Sequence, residues 1–200
     1  FGCDSAEILA DIVSHDREQT VRIVFRSGQR KQITVNAVKK TASELSGTLT
    51  AVLFSPDDLN LIKEGAAARR RLMDNAISQR RPRYAEYLSQ FNKFYESKTR
   101  ILRDWREKPS LLDTLDEFSE GMCRASAQLI RYRASFASRL NEEAAPIHGE
   151  FSGAGEKLEI QYQTVSTVRD PMGPAKDIFY DLCDHLEAHR RAELESQQCL

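Results

Sequence analysis

Apolar positions alternate through the first third of the chain. Residues 6–13 (AEILADIV), 19–26 (QTVRIVFR) and 30–37 (RKQITVNA) set hydrophobic side chains two apart, clearest at Val21/Ile23/Phe25 and Ile33/Val35. That is the period of a half-buried strand. The polar linkers SHDRE and SGQ predict tight turns between these runs, and therefore an antiparallel meander. ASELSG (42–47) reads as one helical turn closed by Gly47, and TLTAVLF (48–54), almost continuously apolar, as a strand buried on both faces. Ser55-Pro56-Asp57-Asp58 predicts a helix start. Ser55 can cap, Pro56 suits the first helical position, and the acids favour the positive end of the helix dipole. This short helix is expected to end near Gly65.

From Ala66 to about Phe151 the period lengthens. Tyr84, Leu88, Phe91, Tyr95, Lys98, Leu102 and Trp105 step alternately by four and three, a heptad seam with Lys98 as its one polar member. After EKPS, Ser110 and Asp113 predict a capping box for a return helix with the seam Leu115, Phe118, Met122, Ala125, Leu129, Tyr132 and Phe136. The limbs 66–106 and 110–151 are nearly equal, each roughly 60 Å if wholly helical, with Pro82 kinking or breaking the first. KLEIQYQTV (157–165) reads as a further strand, VRDPMGP as a loop, and Lys176 to about Gln197 as an amphipathic helix. The expected fold is α+β: a small antiparallel β lobe with a projecting antiparallel helical-hairpin arm. Residues 1–65 would hold the lobe and its strand-to-capped-helix joint, 66–151 the arm, and 152–200 the returning strand and helix.

Composition narrows this little. The 200 residues carry a net charge of −1, with 30% charged and 40% hydrophobic, ordinary for a water-soluble protein of one or two domains. No apolar run approaches a membrane span. Cys3, Cys123, Cys183 and Cys199 form no CxxC pair, and no secretory leader is visible, which points to free thiols in a reducing cytoplasm. The opening Phe-Gly-Cys suits a piece of a longer protein. Asp181, His185 and His189 fall at i, i+4, i+8 and could form a zinc half-site, but polar residues on a solvated helix face are the better reading. No metal site and no catalytic constellation is expected; the phosphate-loop, nucleophile-elbow and zinc-protease motifs are all missing.

Charge distribution says more. Limb 66–106 holds eleven Lys/Arg against Asp74, Glu86, Glu96 and Asp104, whereas 110–151 holds seven acids against four arginines. Six arginines, Arg69, Arg70, Arg71, Arg80, Arg81 and Arg83, fall within fifteen residues and suit a phosphate backbone. Consecutive Arg69–Arg71 fan over roughly 200° of helix, so at least one is expected to lean inward. Asp74, three and four residues on, would hold Arg70 or Arg71 and couple arm to base. Lys93, Arg100, Arg103 and Arg106 are expected instead to complement the acidic return limb.

The stretch LFSPDDLNLIKEGAAARRRLMDNAISQ followed by PRYAEYL resembles the bacterial DNA replication and repair family RecF. Pro56, Asp57, Leu61, Ile62, Arg69, Arg70, Arg71, Leu72, Met73 and Asp74 occupy the places of its diagnostic motif. ITVNAVKKTASEL, FSGAGEKLEIQY and AHRRAEL look like further family segments, with Ala37 where glycine is usual. Glu64-Gly65-Ala66 replaces the usual Gly-Ser-Pro, and Lys98-Thr99 the usual Arg-Asn.

The resemblance implies an ABC-type, SMC-like ATPase that uses ATP and Mg2+, dimerises on DNA in an ATP-dependent way, and works with RecO and RecR to load RecA at single-strand/double-strand junctions. The chain would be an internal segment without Walker A, signature and Walker B motifs, hence with no cofactor of its own. It further implies that Ser55, Pro56 and Asp57 form a nucleotide-sensing loop. Arg69, Arg80, Arg81 and Arg83 are then the expected DNA contacts, and Arg70, Arg71 and Asp74 the arm-to-base coupling. The competing readings are an arm that docks a protein such as RecR without touching DNA, and an unrelated coiled-coil adaptor.

Overall fold

The computed structural model describes residues 2–14, 17–45, 48, 50–53, 55–61, 63–153 and 155–199, and leaves aside the side chains at 14, 43, 57, 59 and 60. The alternating runs pair as expected. Strands β1 (Ser5–Ser14), β2 (Arg17–Arg26), β3 (Gln32–Val35) and β4 (Val38–Lys40) form an antiparallel sheet in the order β1-β2-β3-β4. Ile8 lies opposite Ile23 and Ile23 opposite Ile33; one step along, Ala10 meets Val21 and Val21 meets Val35. This register puts Ile8, Ala10, Val21, Ile23, Ile33 and Val35 on one face, with Val21 and Ile33 buried. On the other, Arg22 grips Glu7 through two hydrogen bonds of 2.6 and 3.1 Å.

A four-residue helix α1 (Ala42–Leu45) follows, its start boxed by Thr41 and Glu44: the Thr41 N–H donates to Glu44 Oε2 at 2.8 Å, and the Glu44 N–H to Thr41 Oγ1 at 3.3 Å. Gly47 lies outside the described residues. The expected strand 48–54 is not formed by those described: Val52 and Leu53 are 96% and 87% exposed. A strand needs a neighbouring ladder, and no described strand pairs with this segment. Pro56–Leu61 is a 3-10 helix. The chain then enters α2 (Ala66–Arg80) with Gly65 as N-cap at φ −47°, so Gly65 opens a helix and does not close one in the left-handed conformation.

Pro82 breaks the outgoing limb, as expected. α2 ends at Arg80 and α3 (Pro82–Asp104) begins with Pro82 at its first position, where the missing N–H costs nothing. A 3-10 turn (Pro109–Thr114) leads to the 37-residue α4 (Leu115–Phe151). The Ser110/Asp113 capping box does not form; the residue before α4 is Thr114, without a side-chain cap. α3 and α4 run antiparallel: Tyr84 meets Tyr132 edge-on at 5.5 Å between centroids, Phe94 meets Phe118 at 6.4 Å, and Ile101 and Leu102 cluster with Leu115. Phe94 lies over Gly121, where a Cβ would stand 2.5 Å from the ring.

Residues 157–165 form no strand; the Ile160 N–H donates instead to the Asn141 side chain at 2.7 Å. The last helix, α5 (Ala175–Ser196), packs back along the arm. Ile178 and Leu182 join Cys123, Ala127 and Ile130 of α4, and Leu194 reaches the arm's tip beside Leu102 and Leu115. The rod therefore has a third helix along it.

Candidate nucleic-acid interface

Arg69, Arg70 and Arg71 are all exposed on α2, as are Arg80, Arg81 and Arg83 around the α2–α3 joint. The inward-leaning member of the fan does not exist, because α2 buries only Ala68 and Ile77 against its neighbours. Arg71 makes a surface ion pair with Glu64 at 3.8 Å, a weak contact in water. The other five engage no acid among the described residues. Arg69 and Arg80 are eleven residues apart, three helical turns plus about 20°, so they project from nearly the same face about 16 Å apart.

The local electrostatics are unusual. The first turn of α2 has no acid and no side-chain cap, and three guanidiniums follow directly. Cations near the positive end of a helix dipole are disfavoured by roughly 0.3–1 kcal/mol. Stability of α2 does not select this arrangement, whereas a bound polyanion would be welcomed by both the dipole and the side chains.

Asp74 does not hold Arg70 or Arg71. It is taken by Arg133 of α4, whose Nε and Nη2 donate to the two carboxylate oxygens at 2.9 and 3.0 Å. The Tyr84 hydroxyl donates to the same carboxylate and accepts from Arg133 Nε at 3.0 Å. Arg133 and Asp74 are only 14% and 16% exposed. Burial pulls the Arg133 guanidinium towards losing its proton, but the Asp74 hydrogen bond and the neighbouring charges more than offset this and hold it charged. Burial, then Asp74, push the Tyr84 phenol far above its ordinary range, so it stays a donor. Nothing local in the sequence marks Arg133, because its partner lies 59 residues away.

Lys98, the polar member of the seam, does carry such a mark. It is buried and bonded to Glu193 of α5 at 2.7–2.8 Å. The basic residues of α3 do not complement α4: no ion pair among the described residues joins the two. Arg103 pairs with adjacent Asp104, Arg106 donates to the Glu195 carbonyl at 3.1 Å, and Asp116 of α4 pairs with Arg190 of α5.

Ser55 and Pro56 stand where the chain enters its 3-10 turn; the Ser55 N–H and hydroxyl donate to Asp58 Oδ2 at 2.6 and 3.1 Å. The Asp57 side chain lies outside the described residues. Asp181 is buried, not solvated, and Arg169 holds it through bonds of 2.8 and 3.1 Å. Its carboxylate is thus engaged away from His185 and His189, whose rings pack at 4.1 Å. Among the described residues no three potential ligands gather for a metal, and no helix is long and apolar enough to cross a membrane.

No family model matches the chain. Curated relatives do. The DNA replication and repair protein RecF of Agathobacter rectalis is 37% identical over 164 residues, 82% of this chain and 45% of that protein. RecF of Acetivibrio thermocellus is 31% identical over 189 residues, 94% of this chain and 51% of that protein. A solved structure of the recombination mediator protein RecF-ATP in the RecFOR pathway superposes with a TM-score of 0.91 at 26% identity, covering 100% of this chain and 53% of that one. The RecF-ATPrS structure gives 0.89 at 25%, covering 99% and 53%.

The chain shares its α+β architecture with the solved RecF structures and aligns along most of its length with proteins named DNA replication and repair protein RecF. It belongs to the RecF family. The chain spans about half the length of the curated relatives it matches.

Proposed function

We propose that this chain is the DNA-contacting part of a RecF-type repair protein, with the arginines of α2 and the α2–α3 joint meeting the phosphate backbone. The observation that carries this reading is the set Arg69, Arg80, Arg81 and Arg83: exposed, without acidic partners among the described residues, and with Arg69 and Arg83 towards the positive ends of α2 and α3. The spacing of Arg69 and Arg80 matches about five base pairs of rise along a duplex. Residues 66–151 act as the contacting arm, with 1–65 as its base, the last helix of 152–200 packed along it, and Ser55-Pro56-Asp57 as the joint that responds to nucleotide. Arg70 and Arg71 supply further charge at the arm's root. ATP and Mg2+ use, ATP-dependent dimerisation, and work with RecO and RecR in loading RecA belong, on this reading, to the whole protein in the cytoplasm.

Charge reversal tests it. In a fluorescence-anisotropy titration with gapped duplex, Arg80→Glu/Arg81→Glu should weaken binding. The slope of log affinity against log salt should fall by about 0.9 for every phosphate that is no longer neutralised. Unchanged affinity and slope would remove the DNA assignment and leave a protein-docking arm.

A further inference from the structure

Helix α2 has little apolar grip. It is 15 residues long and buries only Ala68 and Ile77, and a helix of this length is marginal by itself. Its backbone is not continuous with α3, because Pro82 has no N–H to extend the ladder across the joint. Something else must set the angle of the arginine-bearing helix on the arm.

The polar junction at its middle is placed to do so. Asp74 comes from α2, Tyr84 from α3 and Arg133 from α4, and Arg133 holds Asp74 with a two-pronged fork. Such a fork is directional in a way that apolar packing is not. The Tyr162 ring, from the segment after α4, lies near enough for the Arg133 charge to act on its phenol. A second tie lies towards the helix end, where the Ala51 N–H donates to Gln79 Oε1 at 3.0 Å. Asp74 sits between Arg69–Arg71 and Arg80–Arg81, so a rotation of α2 about this point moves both clusters.

We propose that Asp74, Tyr84 and Arg133 are positioning residues that fix α2 in one orientation on the arm, so that its two arginine clusters engage one phosphate backbone together. This rests on the DNA-contact reading above. Neither Asp74 nor Arg133 touches nucleic acid in this scheme; each acts through the arginines.

The test uses the full-length protein with gapped duplex DNA, comparing wild type, Arg133→Lys, Asp74→Asn, Tyr84→Phe and the exchange Asp74→Arg/Arg133→Asp. Arg133→Lys keeps the charge but loses the fork. It should weaken DNA binding about tenfold and lower the salt slope by about 1 to 2 as one cluster disengages. Amide hydrogen exchange across 68–80 should quicken by at least about tenfold, with exchange across 115–135 unchanged. Tyr84→Phe should give a smaller change in the same direction, and the exchange variant should recover part of the loss. A merely structural role would lower the melting temperature without moving the salt slope. If Arg133→Lys fails to fold, the near-isosteric Asp74→Asn and Tyr84→Phe carry the same readouts.

Unchanged α2 exchange in folded variants overturns the proposal. So does full binding by these variants when Arg80→Glu/Arg81→Glu weakens it. If the charge-reversed protein itself binds normally, the DNA-contact reading falls and the positioning role with it.

Discussion

Ala37 closes the two-residue turn between β3 and β4 with φ +64°, after Asn36 at +48°. A turn of this length between twisted strands requires the left-handed conformation at both positions. Asn36 tolerates it and is held besides, accepting the Thr20 N–H at 2.8 Å and donating its own to the Thr20 carbonyl at 2.9 Å. Ala37 has no such compensation. Ala37→Gly should raise stability by roughly 0.5–1 kcal/mol in urea denaturation, because the relief of left-handed strain exceeds the extra freedom glycine gains when unfolded. Asp181 gives a pH-dependent case. The hydrogen bonds from the Arg169 side chain and backbone hold its carboxyl below the usual range. A lowered folded pKa stabilises above the unfolded value of about 3.9 and ceases to do so as pH falls through the folded one. The melting-temperature gap between wild type and Asp181→Asn should therefore be flat from about pH 5 to 8 and narrow below about pH 4.

At the scale of elements, α5 is fastened to α3 by Lys98 and Glu193, whose side chains are 1% and 4% exposed. Taking both charges out of water is costly, and removing one partner strands the other. Lys98→Met or Glu193→Gln alone should cost about 3–5 kcal/mol by thermal melt, whereas Lys98→Met/Glu193→Met should lie close to wild type. Elements defined by local pattern were legible: β1 to β3 from their alternation, the α3–α4 hairpin from its two seams, and the break at Pro82 from the ring that removes an N–H. Two strands expected on the same grounds, 48–54 and 157–165, did not form. Alternation and apolar runs state that a segment can face a sheet, but a strand exists only where another offers its edge. Gly65 misled for a related reason. Its freedom suits either end of a helix, and the chain beyond it decides which.

Across the whole molecule, the near-zero net charge conceals a division of labour. The acids of α4 do not neutralise α3. Asp116 answers α5, Glu120 answers Arg124 one turn on, and the exposed guanidiniums of α2 and the joint, Arg71 apart, meet no acid among the described residues. α5 turns the two-limbed arm into a three-helix body, and the Asp74–Tyr84–Arg133 junction orients the basic helix on it. The arginine run, the proline break and the family motif were all readable residue by residue, because composition and spacing are local. Which acid each cation meets was not. Asp74 lies within one turn of Arg70 and Arg71 yet binds Arg133, and Lys98 finds Glu193 95 residues away. The order of residues determined the periodicities, the charge clusters and the places where helices must stop. Packing alone decided which polar groups lost their water, and a group without water takes the partner that geometry delivers, however distant in the chain.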